Sequence, residues 1–170
     1  LAADNGDVEM INLYGVMNSK GEGIQKNKEK AEYYYKLAAD KGYAIAMNNY
    51  GVLLMNKQPP NCNEALKYFK MAAENGHKDG VYNYAMNLEK GYGTAPNKKE
   101  AARLYKKNAD DGHVLSMLNY GVLLISQENC SKENEKEAAR YLKMAADGGN
   151  DLAMLNYGNQ LYKGDGIEMN

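Results

Sequence analysis

Cysteine is scarce in this chain, and that scarcity excludes a disulfide scaffold. The 170 residues include two, Cys62 and Cys130, whereas stapled mini-folds carry at least about four. The pair stands 68 residues apart, at matching places of a repeat. That spacing puts them about two layers apart in a stacked fold, beyond the reach of a bridge. Such usage favours a reducing compartment. The triplet Asn129-Cys130-Ser131 would matter as a glycosylation acceptor only in a secretory lumen. Charge of one sign is also lacking. With 21 basic and 22 acidic residues the net charge is −1, so nothing attracts nucleic acid or an anionic membrane surface. Long apolar runs are missing too. The longest, 51–55 and 121–125, fall far short of the roughly 18 residues that span a bilayer. No nucleic-acid partner and no direct membrane insertion are expected. Histidine is nearly absent. His77 and His113 each follow a glycine at equivalent points, which reads as a structural position rather than a general base or metal ligand. Neither cysteine has metal-ligand spacing. No catalytic residue, metal or cofactor is therefore assigned, and the chain is not read as an enzyme.

What is abundant is self-similarity. Ala2-Ala3-Asp4-Asn5-Gly6 recurs as residues 38–42, 72–76, 108–112 and 145–149, with glycines spaced 36, 34, 36 and 37 residues apart. A period of this size marks stacked helical hairpins. Each glycine suits the left-handed residue that closes a helix. Eight residues after each glycine stands Tyr14, Tyr50, Tyr84, Tyr120 or Tyr157, followed by Gly15, Gly51, Ala85, Gly121 or Gly158. Glycine inside a helix costs about 1 kcal/mol against alanine. Its recurrence implies that a partner helix approaches closely there.

The second helix of each hairpin begins after Asn27, Asn63, Asn97 or Asn134, residues able to cap free amides. Asn97…Glu100 and Asn134…Glu137 also have capping-box spacing. Apolar residues then recur at helical period: Ala31, Tyr35, Ala38; Ala65, Phe69, Ala72; Ala101, Tyr105, Asn108; Ala138, Leu142, Ala145. Asn108 breaks this face and needs a polar partner if buried. The expected helices are about 8–19, 28–40, 44–56, 64–75, 78–90, 98–110, 114–127, 135–147 and 151–163. The fold class is all-α, an α-solenoid of helix–turn–helix repeats in a right-handed superhelix. Residues 1–170 read as one repeat domain, with repeats about 7–42, 43–76, 77–112 and 113–149 and a partial 150–170. Both ends look cut within a repeat, and a targeting segment could have preceded Leu1. Ile11, Leu13, Leu152, Leu155 and Leu161 are expected to be exposed at the ends and to favour self-association.

The pattern Tyr-Gly-x-x-Leu-x-x-Gly-x-Gly, followed by Lys-x-x-x-Ala and closing on Ala-Ala-Asp-x-Gly, resembles the Sel-one-like repeat, a relative of the tetratricopeptide repeat. The resemblance covers essentially the whole chain. The family usually has Leu at the five tyrosines, and an aromatic where Asn18, Leu54, Leu88, Leu124 and Leu161 stand; Asn18 departs most. The resemblance implies an adaptor whose first helices line a concave groove for a protein or peptide. A cysteine-rich bacterial branch is linked to β-lactam binding and hydrolysis, but it carries a disulfide in each repeat that this chain lacks.

On that groove, Asn49, Asn83, Asn119 and Asn156 each precede the mid-helix tyrosine, whereas Leu13 interrupts the row. In related tetratricopeptide proteins this position bonds the main chain of a peptide, and an amide offers both donor and acceptor. The same face includes Ile45, Val52, Met55, Tyr82, Met86, Leu115, Leu118, Val122, Ile125, Leu152 and Leu155. This stripe reads either as packing of the chain on itself or as a hydrophobic groove, in which the methionines would adapt to different ligands. Asp79 and Glu89 stand there instead of the basic residues a carboxylate clamp would need. The candidate partner-binding residues are Asn49, Asn83, Asn119, Asn156, Val52, Met55, Tyr82, Met86, Leu115, Leu118 and Val122. The alternative to a protein-interaction scaffold is a small-molecule or lipopeptide binder, hydrolytic in one form, using the same groove.

Overall fold

The computed structural model describes residues 7–126 and 130–164. The described residues form nine helices and no strand: α1 Val8–Lys20, α2 Lys28–Asp40, α3 Ala44–Met55, α4 Cys62–Glu74, α5 Lys78–Lys90, α6 Lys98–Asp110, α7 Val114–Ile125, α8 Lys132–Asp147 and α9 Asp151–Lys163. The chain divides into two compact units, residues 1–97 with α1–α5 and residues 98–170 with α6–α9. Within each unit, successive helices pack on one another, and first helices also meet first helices, α3 with α5 and α7 with α9.

The recurring Ala-Ala-Asp-x-Gly segment makes the corner between hairpins. Gly42 has φ 92° and donates its N–H to the Ala39 carbonyl at 2.9 Å, while the Tyr43 N–H reaches the Ala38 carbonyl at 3.1 Å. These crossed bonds satisfy carbonyls that the ending helix leaves open. The same two bonds recur at Gly76–His77, Gly112–His113 and Gly149–Asn150. The residue after each glycine then caps the next first helix. The imidazole Nδ1 of His77 accepts the Gly80 N–H and that of His113 accepts the Ser116 N–H, while Asn150 accepts the Ala153 N–H. Tyr43 has no side-chain cap bond.

The mid-helix glycines are contact points. A Cβ on Gly51 would stand 2.6 Å from the Phe69 ring, one on Gly15 2.6 Å from Tyr35, and one on Gly121 2.8 Å from Leu142. Gly158 differs, because a Cβ there meets nothing within 4 Å. The faces expected to be buried are buried: Ala31, Tyr35, Ala38, Ala65, Phe69 and Ala72 in the first unit, and Ala101, Tyr105, Asn108, Ala138, Leu142 and Ala145 in the second. Asn108 finds its partner in Ser116 Oγ at 2.8 Å.

Three expectations need correction. The cap of α4 is Asn61, which accepts the Glu64 N–H, and the cap of α8 is Ser131, which accepts the Asn134 N–H. Both helices therefore start earlier than Asn63 and Asn134 imply, and Asn134…Glu137 is no capping box. Glu137 instead pairs with Lys106 Nζ at 2.7 Å. Ile11 is fully buried rather than exposed, although Leu13, Leu152, Leu155 and Leu161 are exposed. Cys62 opens α4 whereas Cys130 precedes α8, so the two are not equivalent; the Cys130 thiol donates to the Leu124 carbonyl at 3.3 Å. Residues 1–6, on which the first Ala-Ala-Asp-x-Gly segment falls, lie outside the described residues, as does Asn129.

Candidate functional site

A cleft of about 540 Å³ opens in the first unit between the start of α2 and the last turns of α3. Asn27 caps α2 by accepting the Lys30 N–H at 2.8 Å, which brings Lys26 and Lys28 to the rim together with Glu29. The positive end of the α2 dipole adds to these cations. One wall is Ala31, Glu32 and Tyr35 from α2; the other is Asn49, Val52, Leu53 and Asn56 from α3. Lys57 closes one side and holds Glu32 in an ion pair at 2.6 Å. Among the described residues no carboxylate pairs with Lys26 or Lys28, so the cleft keeps an excess of positive charge. Burial raises the Tyr35 phenol above its ordinary value, opposed by a hydrogen bond from Ser19. That phenol therefore stays neutral and serves as a polar wall.

The asparagines fall into pairs rather than an open row. Asn49 Nδ2 donates to Asn12 Oδ1 at 3.1 Å, and Asn83 Nδ2 donates to Asn48 Oδ1 at 2.8 Å. These bonds tie α1 to α3 and α3 to α5. The Oδ1 atoms of Asn49 and Asn83 have no donor among the described residues, and both side chains are half-buried. In the second unit Asn119 Nδ2 donates to the Tyr105 hydroxyl at 3.2 Å. Asn156 Nδ2 turns back to the Leu152 carbonyl at 2.8 Å.

Among the apolar candidates, Val52 (40% exposed) and Leu115 (42%) present side chains to solvent. Met55, Tyr82, Met86 and Val122 are half-buried. Leu118 is buried and cannot line a groove. It stands two residues before the mid-helix tyrosine, the register that turns toward the following first helix, as Asn48 does when it meets Asn83. Asn49 and Val52 are thus brought together in the cleft, which Asn83 and the remaining candidates do not line. Lys26, Lys28, Glu32, Tyr35 and Lys57 were missed because the groove was sought on first helices alone. The Lys26-Asn27-Lys28 run at a helix start was the available signal.

The family model for the Sel1 repeat matches residues 8–43, 44–77, 79–113 and 114–150. The chain belongs to the Sel1 repeat family. It is similar to a crystallised Sel1 repeat protein from Oxalobacter formigenes, with 26% identity and a TM-score of 0.85, over 96% of this chain and 67% of that one. It is also similar to a protective antigen of uropathogenic Escherichia coli that displays an SLR fold, with 25% identity and a TM-score of 0.77, over 99% of this chain and 44% of that one. The chain thus spans about two thirds of the first relative and under half of the second. Helicobacter pylori cysteine rich protein B shares the fold, with 20% identity and a TM-score of 0.54, over 64% of this chain and 85% of that one. None of the curated proteins matches. The architecture is an all-α repeat solenoid. Sel1 repeat proteins generally mediate protein–protein interactions, and the fold generally serves as a non-enzymatic scaffold.

Membership settles the standing of the first Sel1 repeat, whose Asn18 departs from the usual aromatic. Asn18 is buried and satisfies itself by donating Nδ2 to the Tyr14 carbonyl at 2.7 Å. Among the described residues, no helix is long and apolar enough to cross a membrane, and no group of three or more His, Cys, Asp or Glu could hold a metal ion.

Proposed function

We infer that this Sel1 repeat chain is an interaction module that holds a peptide segment of a partner protein in the α2–α3 cleft. The observation that carries this reading is the composition of the cleft. An apolar wall of exposed Val52 and half-buried Leu53 shares the cleft with unpaired cations at a helix N-terminus, and the Oδ1 of Asn49 is an acceptor for a main-chain N–H. The matching ligand is an extended segment that sets an apolar side chain on Val52 and an acidic group beside Lys26 and Lys28. The Lys57–Glu32 pair shapes the wall without neutralising that rim.

Hydrolysis draws no support from the same groups. The Tyr35 phenol in the cleft wall is raised by burial. It therefore stays protonated and weakly nucleophilic at neutral pH. Volume does favour one further reading, since about 540 Å³ lies within the range of small-molecule pockets. Selection from a random peptide library on the immobilised chain separates the two. Enrichment of segments with an acidic residue near an apolar one, lost on Val52→Asp and on Lys28→Glu with the melting temperature unchanged, supports the peptide reading. No enrichment over a Val52→Asp control contradicts it.

A further inference from the structure

The second unit has a cleft in the register equivalent to that of the first. It occupies about 210 Å³ between the start of α8 and the last turns of α9. Asn156 stands there as Asn49 does in the first, and Glu135, Asn159 and Lys163 take the registers of Lys28, Val52 and Asn56. The difference lies in Gln160. It occupies the register of Leu53 in α3 and Leu123 in α7, where an apolar side chain needs no partner. Gln160 is 3% exposed, and neither its Oε1 nor its Nε2 has a hydrogen-bond partner among the described residues. Burying an amide without partners is unfavourable, and native folds rarely leave both ends of one unpaired. Asn87, the polar residue at this register in α5, donates its Nδ2 to the Asn83 carbonyl at 2.7 Å. No comparable bond forms at Gln160.

We propose that the α8–α9 cleft binds the main-chain N–H and C=O of one extended residue of a partner polypeptide through Gln160. The chemistry selects that class. A primary amide presents a donor and an acceptor side by side, and the N–H and C=O of one extended residue, which point to the same side, answer both with two antiparallel hydrogen bonds. A carboxylate would engage Nε2 only, and an ammonium Oε1 only. The cleft wall carries Glu135 and Lys163, whose opposite charges give no net preference for an ionic ligand. Ile125 supplies the apolar surface that a peptide also needs. This site rests on the peptide-binding reading for its choice of ligand, but it uses different residues in a different unit, so either cleft can fail alone.

The test uses a blocked dipeptide, N-acetylglycine N-methylamide, as probe. The side-chain NH₂ resonances of Gln160 are followed by ¹⁵N NMR in the whole 170-residue chain. The expected result is a saturable shift with the dipeptide and none with acetate or methylammonium. Gln160→Leu, which copies Leu53 and Leu123, should weaken probe binding about tenfold, as loss of two modest hydrogen bonds implies. It should leave the melting temperature unchanged or higher, because the buried unpaired amide is gone. Val52→Asp should leave the Gln160 shift intact, which separates this site from the α2–α3 cleft. Equal shifts with all three solutes, no shift with the dipeptide, or a lower melting temperature in Gln160→Leu would each overturn the proposal. The last would mean that the amide already has a partner within the fold.

Discussion

The corner between α2 and α3 and the corner between α6 and α7 share a backbone but not a chemistry. In the first, Ala38, Tyr43 and Ala46 meet with no side-chain hydrogen bond at the cap. In the second, Asn108, His113 and Ser116 occupy the same registers. Asn108 Nδ2 donates to Ser116 Oγ at 2.8 Å, and Ser116 Oγ lies 2.9 Å from His113 Nδ1. Asn108 and Ser116 are both buried and partner one another, whereas His77 caps α5 without either. Around these corners the construction is constant. Tyr50 stacks edge-on against Tyr68, whose hydroxyl donates to Asp40, the last residue of α2. Tyr120 and Tyr141 repeat this pair, with Tyr141 donating to Asp110, the last residue of α6. The repeat thus fixes its helix contacts and leaves the corner free to be apolar or polar.

The largest effect should come from filling the constant contacts. Gly51→Leu and Gly121→Leu should each cost roughly 1–3 kcal/mol through overpacking, read as a fall in melting temperature. Gly158→Ala should instead gain up to about 1 kcal/mol, because nothing opposes a Cβ there. Similar changes at Gly51 and Gly158 would remove the packing argument.

Breaking the polar corner comes next. Asn108→Ala should cost about 0.5–1.5 kcal/mol by removing its buried hydrogen bond to Ser116 Oγ, which keeps His113 Nδ1 as a partner. The double substitution Asn108→Ala with Ser116→Ala rebuilds the α2–α3 corner and should cost less than the sum of the single changes. A double-mutant cycle checks this, and additive costs would show that the pair is not coupled.

Caps give a smaller effect. Asn61→Ala and Ser131→Ala should cost about 1 kcal/mol each, while Asn63→Ala and Asn134→Ala should be close to neutral. Chemical denaturation of the four variants decides whether α4 and α8 start where the structure puts them.

The smallest effect is confined to alkali. Burial raises the Tyr120 phenol from 10.0 to about 12. A group with a raised folded value contributes stability that is complete below pH 10 and is lost as pH rises toward 12. Stability should therefore decline across that window, with phenolate absorbance appearing late, and Tyr120→Phe should flatten the decline. The same loss in Tyr120→Phe would assign it to other groups.

The helices and their buried faces were legible in the sequence because both rest on local signals. Gly42 and its equivalents mark helix ends by a backbone requirement, and Ala65, Phe69 and Ala72 mark a face by period. Contacts between first helices were not legible. The spacing of Asn49 and Asn83 says nothing of the neighbouring amide that each meets. Leu118 looked available for the same reason. The α2–α3 cleft was half legible: Asn49 and Val52 were singled out, but Lys26, Lys28 and Tyr35 reach it from another helix, which no periodicity along α3 reveals.

Isothermal titration with the best peptide selected on the chain tests the account most directly, run against the original protein and Val52→Asp with melting curves in parallel. The account predicts one peptide at the α2–α3 cleft, with affinity there at least about tenfold weaker in Val52→Asp, a loss of about 1.4 kcal/mol, and an unchanged melting temperature. Equal affinity for both proteins would contradict it.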